Sequence, residues 1–254
     1  MVHFVGAGPG AADLITVRGQ ALLAAADVII YAGSLVNPEH LKLAREGCRI
    51  YDSASMTLEE VIAVIKQAEA QGLTTVRLHT GDPSIYGAIR EQMDLLAQAG
   101  ICYDVTPGVS SFCGAAAALK AEYTLPDVSQ TVIITRMAGR TPVPEKEEIA
   151  KLAAHEATMA IFLSTGLLEP LSAELMRGGY AADTPAAIVY KATWPEERVF
   201  YGTVETLPQI ARENSITKTA LILVGRFLGD SYQRSKLYDP SFTHEFREAS
   251  ETCK

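Results

Sequence analysis

Three strand-like runs in the first half of the chain each stop at a turn of small residues. Residues 2–5 run into Gly6-Ala7-Gly8-Pro9-Gly10, Thr75–His79 into Gly81-Asp82-Pro83-Ser84-Ile85-Tyr86-Gly87, and residues 102–106 into Pro107-Gly108-Val109-Ser110-Ser111. Short apolar and β-branched runs bounded by Gly, Pro and Ser read as strands, Val28–Tyr31 reads as a fourth, and helical periodicity fills several of the intervals. Such alternation predicts an α/β fold with a parallel sheet. Ligands of open α/β sheets settle beyond the carboxyl ends of the strands, where glycine allows close approach to main chain. The three turns are therefore expected to converge on one pocket.

One helix is legible at both ends. Thr57-Leu58-Glu59-Glu60 has the spacing of a capping box, Leu58, Val61, Ile62 and Ile65 share a face, and Gly72 supplies a stop.

After residues 115–118 the character changes to a second set of β-rich runs, at residues 131–135, 159–163, 186–191 and 199–203 and at Ala220–Val224. Helices are expected at residues 167–176, closed by Gly178-Gly179, and at Leu207–Glu213, with Pro208 near its start. With 254 residues, 48% of them apolar, the chain can bury two cores. The expected division is an α/β domain over residues 1–118, a second α/β domain over 119–229 and a polar tail with scattered aromatics over 230–254. No internal repeat or low-complexity segment is present.

Composition narrows the function classes. No apolar run approaches the roughly 20 residues that cross a bilayer, and the N-terminus lacks the layout of a signal peptide, so a soluble cytoplasmic protein without membrane partners is expected. Cys48, Cys102, Cys113 and Cys253 show neither Cys-x-x-Cys spacing nor His pairs, which points to reduced thiols and no metal site. A formal net charge of −8 argues against nucleic acid as a partner.

The first turn formally fits G-x-G-x-x-A through Gly6, Gly8 and Ala11, so a dinucleotide site has to be weighed. That fingerprint needs a helix opening at the turn, whereas here the helical pattern begins near Thr16 or Val17. It also needs an acid closing the next strand, where this chain has Tyr31-Ala32-Gly33-Ser34. A ligand without phosphates suits such turns better. Asp82 either accepts from a ribose hydroxyl or an amine, or caps its own turn before Pro83; Ile85 and Tyr86 either cover a ligand ring or join the core.

The first turn with Asp13-Leu14-Ile15-Thr16-Val17-Arg18-Gly19, together with Arg77-Leu78-His79-Thr80-Gly81-Asp82-Pro83-Ser84-Ile85-Tyr86-Gly87, resembles the two signature segments of the tetrapyrrole methylases. Residues 31–37, 52–58, 135–145 and 236–244 look like those of the branch that methylates carbon 11 of precorrin-4 or cobalt-precorrin-4 in cobalamin synthesis. The resemblance runs from end to end. It implies the class III methyltransferase architecture, two α/β domains with S-adenosylmethionine folded in a cleft between them, and a homodimer. Carried over by position, it implies cofactor contacts from Pro9, from Thr80, Gly81, Asp82, Ile85 and Tyr86, from Ser110 and Ser111, and from Leu163, Ala192 and Ala220. S-adenosylhomocysteine would be the product. The resemblance names no catalytic base, because the acid that uroporphyrinogen-methylating relatives carry after the second strand is replaced here by Ala32-Gly33-Ser34.

A macrocycle with many carboxylates needs local cations. Arg136 and Arg140, four apart in a Gly- and Pro-containing segment, are the expected substrate contacts, ahead of Arg90, Lys191 and Arg198. His79 and His244 either approach a metal in the substrate or are structural, and Trp194 either stacks on the macrocycle or covers the second domain. Competing readings are another tetrapyrrole methyltransferase, a dinucleotide-dependent oxidoreductase and a non-catalytic nucleotide-binding module.

Overall fold

A computed structural model describes residues 1–249. Packing divides the chain into two compact units, Met1–Ala115 with Lys191–Glu197, and Ala116–Tyr190 with the residues from Arg198 onward. Against the boundaries drawn on the sequence, the first unit ends at Ala115 rather than residue 118, the residues after 229 are not set apart from the second unit, and Lys191–Glu197 packs with the first unit although it lies deep in the second half of the chain. Cys253, read above as a plain thiol, lies outside the described residues.

The first unit holds β1 (Val2–Gly6), α1 (Val17–Ala25), β2 (Val28–Tyr31), β3 (Arg49–Asp52), α2 (Leu58–Ala70), β4 (Thr75–His79), α3 (Arg90–Gln98), β5 (Tyr103–Thr106) and the start of α4 (Ser111–Leu119). Its five strands are all parallel, in the order β3-β2-β4-β1-β5. Alternate residues feed two apolar layers. Val2, Phe4, Val28 and Ile30 face α2 and α3 through Val61, Ile62, Ile65 and Leu96, while Val5, Ile29, Val76 and Leu78 face α1 and the 3₁₀ segment after β2 through Leu23, Val36, Leu41 and Leu43. Burial on both faces explains why β2 reads as an unbroken apolar run; β4 is buried along its whole length too, yet carries Arg77 and His79.

The helix starts follow local chemistry. Thr16 caps α1 by accepting from the Gly19 N–H at 3.1 Å. The capping box of α2 is complete: Thr57 Oγ1 accepts from the Glu60 N–H, and Glu60 accepts from the Thr57 N–H at 2.7 Å.

The second unit holds β6 (Val132–Arg136), α5 (Ile149–Ala153), β7 (Thr158–Phe162), α6 (Leu168–Gly178), β8 (Pro185–Tyr190), β9 (Arg198–Thr203), α7 (Leu207–Glu213) and β10 (Ala220–Val224). The sheet order is β6-β7-β10-β8-β9; β6 and β7 are parallel and the remaining pairs antiparallel. Met159, Ile161, Ile188, Ile222 and Val224 pack with Leu168, Leu171, Leu175 and Leu207 from α6 and α7. Gly179, at φ 129°, ends α6 in a conformation that side chains avoid. No helix among the described residues is long and apolar enough to cross a membrane.

Candidate functional site

At the carboxyl ends of β1, β4 and β5 the three glycine turns lock together through main chain. A Cβ on Gly6 would stand 2.6 Å from the Gly108 Cα and 2.6 Å from the Gly81 carbonyl oxygen, and one on Gly108 would stand 2.2 Å from that same oxygen. Gly8 and Gly81 exchange both backbone hydrogen bonds, at 3.2 and 2.8 Å. Bare backbone is required because strand ends 4.8 Å or so apart leave no room for side chains between them.

The first turn is fastened on its far side as well. The Trp194 indole N–H donates to the Pro9 carbonyl at 3.2 Å, the Asn37 amide donates to the Gly10 carbonyl at 2.8 Å, and the Ala11 N–H donates to Thr193 Oγ1 at 3.0 Å. A Cβ on Gly10 would lie 2.1 Å from the Trp194 ring, so the indole is seated on that glycine. Trp194, read on the sequence as a cover for the second domain or a stacking platform, instead clamps the first turn. With these groups committed, and with α1 opening only at Val17 behind its own Thr16 cap, the turn has no helix start to offer a pyrophosphate. The formal dinucleotide fingerprint is thus a coincidence of spacing.

Asp82 ties the second turn to the third. Oδ1 accepts from the Ser84 N–H at 2.8 Å and from the Ser84 hydroxyl, and Oδ2 accepts from the Gly108 N–H at 2.9 Å. Burial pulls its pKa upward, but the bonds from the Ser84 hydroxyl, the Gly108 N–H and the Ser84 N–H outweigh that and hold the carboxyl below its ordinary value. The turn-capping alternative is therefore realised, together with a bridge between loops that residue type alone did not reveal. Asp82→Ala is expected to cost about 2 kcal/mol, the scale of losing a charge-assisted hydrogen bond. Asp82→Asn, which turns an amide N–H₂ or an uncharged oxygen toward Gly108, should recover only part of it. Chemical denaturation measures both; an Ala variant as stable as the parent would show that the tie is idle.

Thr80 Oγ1 is buried without a partner among the described residues, as are His79 Nε2 and His40 Nδ1. The buried His79 ring stays neutral: desolvation first, and then the nearby Arg77 charge, push its pKa down to about 3. Burial also lowers Arg77, to about 10, so that it remains cationic. Its Nε donates to Gln92 Oε1 at 3.1 Å and its Nη1 to the Ile30 carbonyl at 3.0 Å, while Gln92 Nε2 donates to the Ala88 carbonyl at 2.9 Å. This chain fastens the far end of the second turn, where Tyr86 and Ala88 hold φ values of 56° and 49°. Ile85 is half-buried and Tyr86 is 45% exposed, so neither is a core residue. In the third turn Ser110 is buried and its carbonyl accepts the Cys113 N–H at 3.0 Å, opening α4, with Ser111 half-buried beside it.

The model of the tetrapyrrole (corrin/porphyrin) methylases matches residues 1–208. The chain is 52% identical over 249 residues to a cobalt-precorrin-4 C(11)-methyltransferase of Methanocaldococcus jannaschii, covering 98% of this chain and 96% of that one. The chain belongs to the tetrapyrrole methylases. A precorrin-4 C(11)-methyltransferase of a Sinorhizobium species is 47% identical over 97% of this chain and 98% of its own. The crystal structure of a cobalt precorrin-4 methyltransferase, described as a cobalamin biosynthetic enzyme, superposes with a TM-score of 0.88 at 46% identity, covering 90% of this chain and 96% of that one. A Thermus thermophilus uroporphyrin-III C-methyltransferase complexed with S-adenyl homocysteine gives 0.72 at 25% identity, covering 89% and 92%.

The remaining expected site residues of this tetrapyrrole methylase fall into two groups. Ala192 is buried in the first unit between two strained neighbours, Lys191 at φ 48° and Thr193 at φ 67°, and its carbonyl lies against Gly10. Leu163 and Ala220 belong to the second unit, at the same end of its sheet, since Ile222 pairs with Ile161 and the register brings 220 opposite 163. Leu163 is 67% exposed at φ 52°, a costly pairing for a large apolar residue of a kind that clusters at ligand sites. Ser164, fully buried, fixes that kink by donating to the Phe162 carbonyl at 2.7 Å and accepting from the Met137 N–H at 2.9 Å.

The expected cationic pair separates in role. Arg136 donates to the Thr141 carbonyl at 3.2 Å and to the Pro142 carbonyl at 2.7 Å, so its guanidinium shapes its own loop. Arg140 is exposed at the tip of that loop. The support that Trp194, Asn37, Arg77 and Gln92 give these turns, and Ser164 the kink at Leu163, is not legible in the sequence, because Pro9, Gly10, the Arg77–Gln92 contact and Met137 are brought into place by the tertiary fold.

Proposed function

We propose that this tetrapyrrole methylase is an S-adenosylmethionine-dependent C-methyltransferase that adds a methyl group to carbon 11 of precorrin-4 or cobalt-precorrin-4. The reading rests above all on 52% identity, over nearly the whole of both chains, to a relative carrying that activity in its name. The turn geometry agrees with it. S-adenosylmethionine brings an electrophilic methyl on a sulfonium, and has no phosphate, so it needs close main chain and a few polar atoms more than a helix dipole.

The residues present fit that ligand. The Thr80 hydroxyl, without a partner among the described residues, the main chain of Gly81, the half-buried Ile85, and the start of α4 at Ser110 and Ser111 supply polar and apolar contacts on one rim of the first sheet. In this reading Asp82 acts by holding the second and third turns in register, and Pro9, Ala192, Leu163 and Ala220 supply apolar or main-chain surface. The chain's work is alignment and exclusion of water, which for well-oriented reactants corresponds to effective molarities of about 10⁵ M or more. Arg140 is free to meet a substrate carboxylate, with Arg136 setting the loop that presents it. A cytoplasmic homodimer belongs to the same proposal.

Anaerobic incubation with S-adenosylmethionine and each of precorrin-4 and cobalt-precorrin-4 should give a product heavier by one methyl, located at carbon 11 by NMR. Titration calorimetry should show S-adenosylhomocysteine binding and no NAD(P)H binding. Methylation of neither substrate, or binding of the nicotinamide alone, would defeat the reading; the dinucleotide alternative has no observation in its favour.

A further inference from the structure

We propose that Asp52, oriented by Tyr31, takes up the proton that the macrocycle loses when its carbon is methylated. The inference rests on the function proposed above and adds a catalytic residue to it. Its ground is the topology of the first sheet. The connection leaving β2 runs outward to β3 over the face carrying Val36, Leu41 and Leu43, whereas the connection leaving β4 runs the other way, through α3 on the opposite face, to β5. β2 and β4 are neighbours. Their departing chains therefore diverge, and in open α/β sheets such a switch point is where a ligand enters. The β4 side of the switch point carries Thr80, Gly81 and Asp82. The β2 side carries Tyr31, and β3 beside it carries Asp52, paired with Tyr31 in the strand register.

The two side chains meet there. The Tyr31 hydroxyl donates to Asp52 Oδ2 at 3.1 Å, and Asp52 Oδ1 accepts from the Ala54 N–H at 2.9 Å. The Ser53 hydroxyl donates to the Tyr31 carbonyl at 2.9 Å, and Gly33, at φ 63°, lies so close that a Cβ on it would stand 2.9 Å from that of Ala54. The turns after β2 and β3 are thus fixed to each other and hold the carboxylate in place. Burial, then the hydrogen bond to Asp52 and its charge, raise the Tyr31 hydroxyl above its ordinary value, so the phenol keeps its proton and serves as the donor. Asp52 is exposed, and two accepted bonds leave lone pairs open on its oxygens. Asp82, on the other side, has both oxygens committed within the protein.

The electron count asks for such a group. The π pair of the nucleophilic ring carbon forms the new C–C bond, the C–S bond breaks, and its pair stays on sulfur, which becomes a neutral thioether. The positive charge passes to the macrocycle, whose conjugated ring nitrogen then gives up its N–H proton. Asp52 accepts that proton and, being exposed, returns it to solvent. A positioned proton acceptor contributes about 10²–10⁴-fold to such steps.

The test compares Asp52→Asn and Tyr31→Phe with the parent enzyme. Asparagine keeps an oxygen for the Ala54 N–H, so the fold should stand. Expected are a fall in kcat of about 10²-fold or more for Asp52→Asn, the lower part of the range for proton-transfer assistance, and a smaller fall of about tenfold for Tyr31→Phe, which orients the carboxylate without taking the proton. The KM for S-adenosylmethionine and the calorimetric affinity for S-adenosylhomocysteine should stay within about threefold. A kcat for Asp52→Asn within threefold of the parent overturns the proposal, and so does a variant that loses affinity for S-adenosylhomocysteine in step with its rate, which would make the role structural. A parent enzyme that methylates neither precorrin would instead bring down the functional reading beneath it.

Discussion

Replacing Gly108 by alanine is expected to abolish binding of S-adenosylhomocysteine and to destabilise the protein by about 3 kcal/mol, the upper part of the range for inserting an atom into packed structure. The added Cβ would fall 2.2 Å from the Gly81 carbonyl oxygen and 2.7 Å from the Gly6 Cα. Neither is a side-chain tip that can swing aside. Both belong to main chain held by the Ala7 N–H to His79 carbonyl bond at 2.7 Å and by the Gly8–Gly81 pair. Relief of the clash has to separate β5 from β1 and β4 where the three turns meet, and it pulls the Gly108 N–H off Asp82. Gly72→Ala is the fitting control. Gly72 has φ 68° and open space around its Cβ position, so alanine there should cost about 1–2 kcal/mol of backbone strain and leave ligand binding unchanged. Urea denaturation and calorimetry on the two variants separate a defect in the turns from a general loss of stability; equal ligand affinity in both would refute the main-chain packing argument.

What could be read from the chain divides along the range of the interactions involved. The strand runs of the first sheet and the capping box at Thr57 depend on neighbours in sequence, and they appear where the residue pattern puts them. Recognition of the family needed only the turn segments. β3 escaped because its four residues alternate between half-buried and exposed at the edge of the sheet, with none of the apolar continuity that marks β2. The antiparallel order of the second sheet escaped because short apolar runs carry no strand direction. The same holds for the site. Gly81 and Gly108 are visible as glycines, but that they press on Gly6 is a fact of topology. Asp82 looks the same whether it binds a ligand or bridges two turns, and the clamp by Trp194 spans 185 residues of sequence. Arg136 and Arg140 share a spacing, yet one side chain is consumed by its own loop.

These observations give the first sheet a consistent economy. The groups that hold the turns, namely Trp194, Asn37, Asp82 and the Arg77–Gln92 pair, have their polar atoms satisfied within the protein. Thr80 and Asp52 have capacity left over, as do the ring nitrogens His79 Nε2 and His40 Nδ1, and the first two stand on the two sides of the switch point between β4 and β2. A rigid frame with a few uncommitted polar atoms is what alignment-dominated catalysis requires.

The neutral, buried His79 should make this protein lose stability in mild acid, by about 3 kcal/mol between pH 6.5 and 4 from this residue alone at 1.36 kcal/mol per pH unit. The sign follows from proton counts. In the unfolded chain the imidazole titrates near its usual 6.5, whereas in the folded protein its pKa is pushed down to about 3. Between those values the unfolded state binds a proton that the native state does not, so stability rises with pH across the window and is recovered in full above it. The cause is local: the ring is 3% exposed, its Nε2 has no partner among the described residues, and the Arg77 guanidinium two residues away repels a second charge. His40, lowered by burial, acts in the same direction, while Asp82, with its depressed carboxyl pKa, adds a loss only as pH falls below the ordinary carboxylate range. Both remain in a His79→Asn variant, so comparison with the parent isolates the one ring. At pH 7 the variant should be the less stable of the two through lost packing under the second turn, and the gap should shrink by about 3 kcal/mol as pH falls to 4, because asparagine takes up no proton in either state. Urea unfolding at pH 7, 5.5 and 4 measures it. A gap that stays constant across the three would mean that the ring takes up its proton in the folded protein, and that the pocket beneath Thr80 is wetter and less electropositive than its packing indicates.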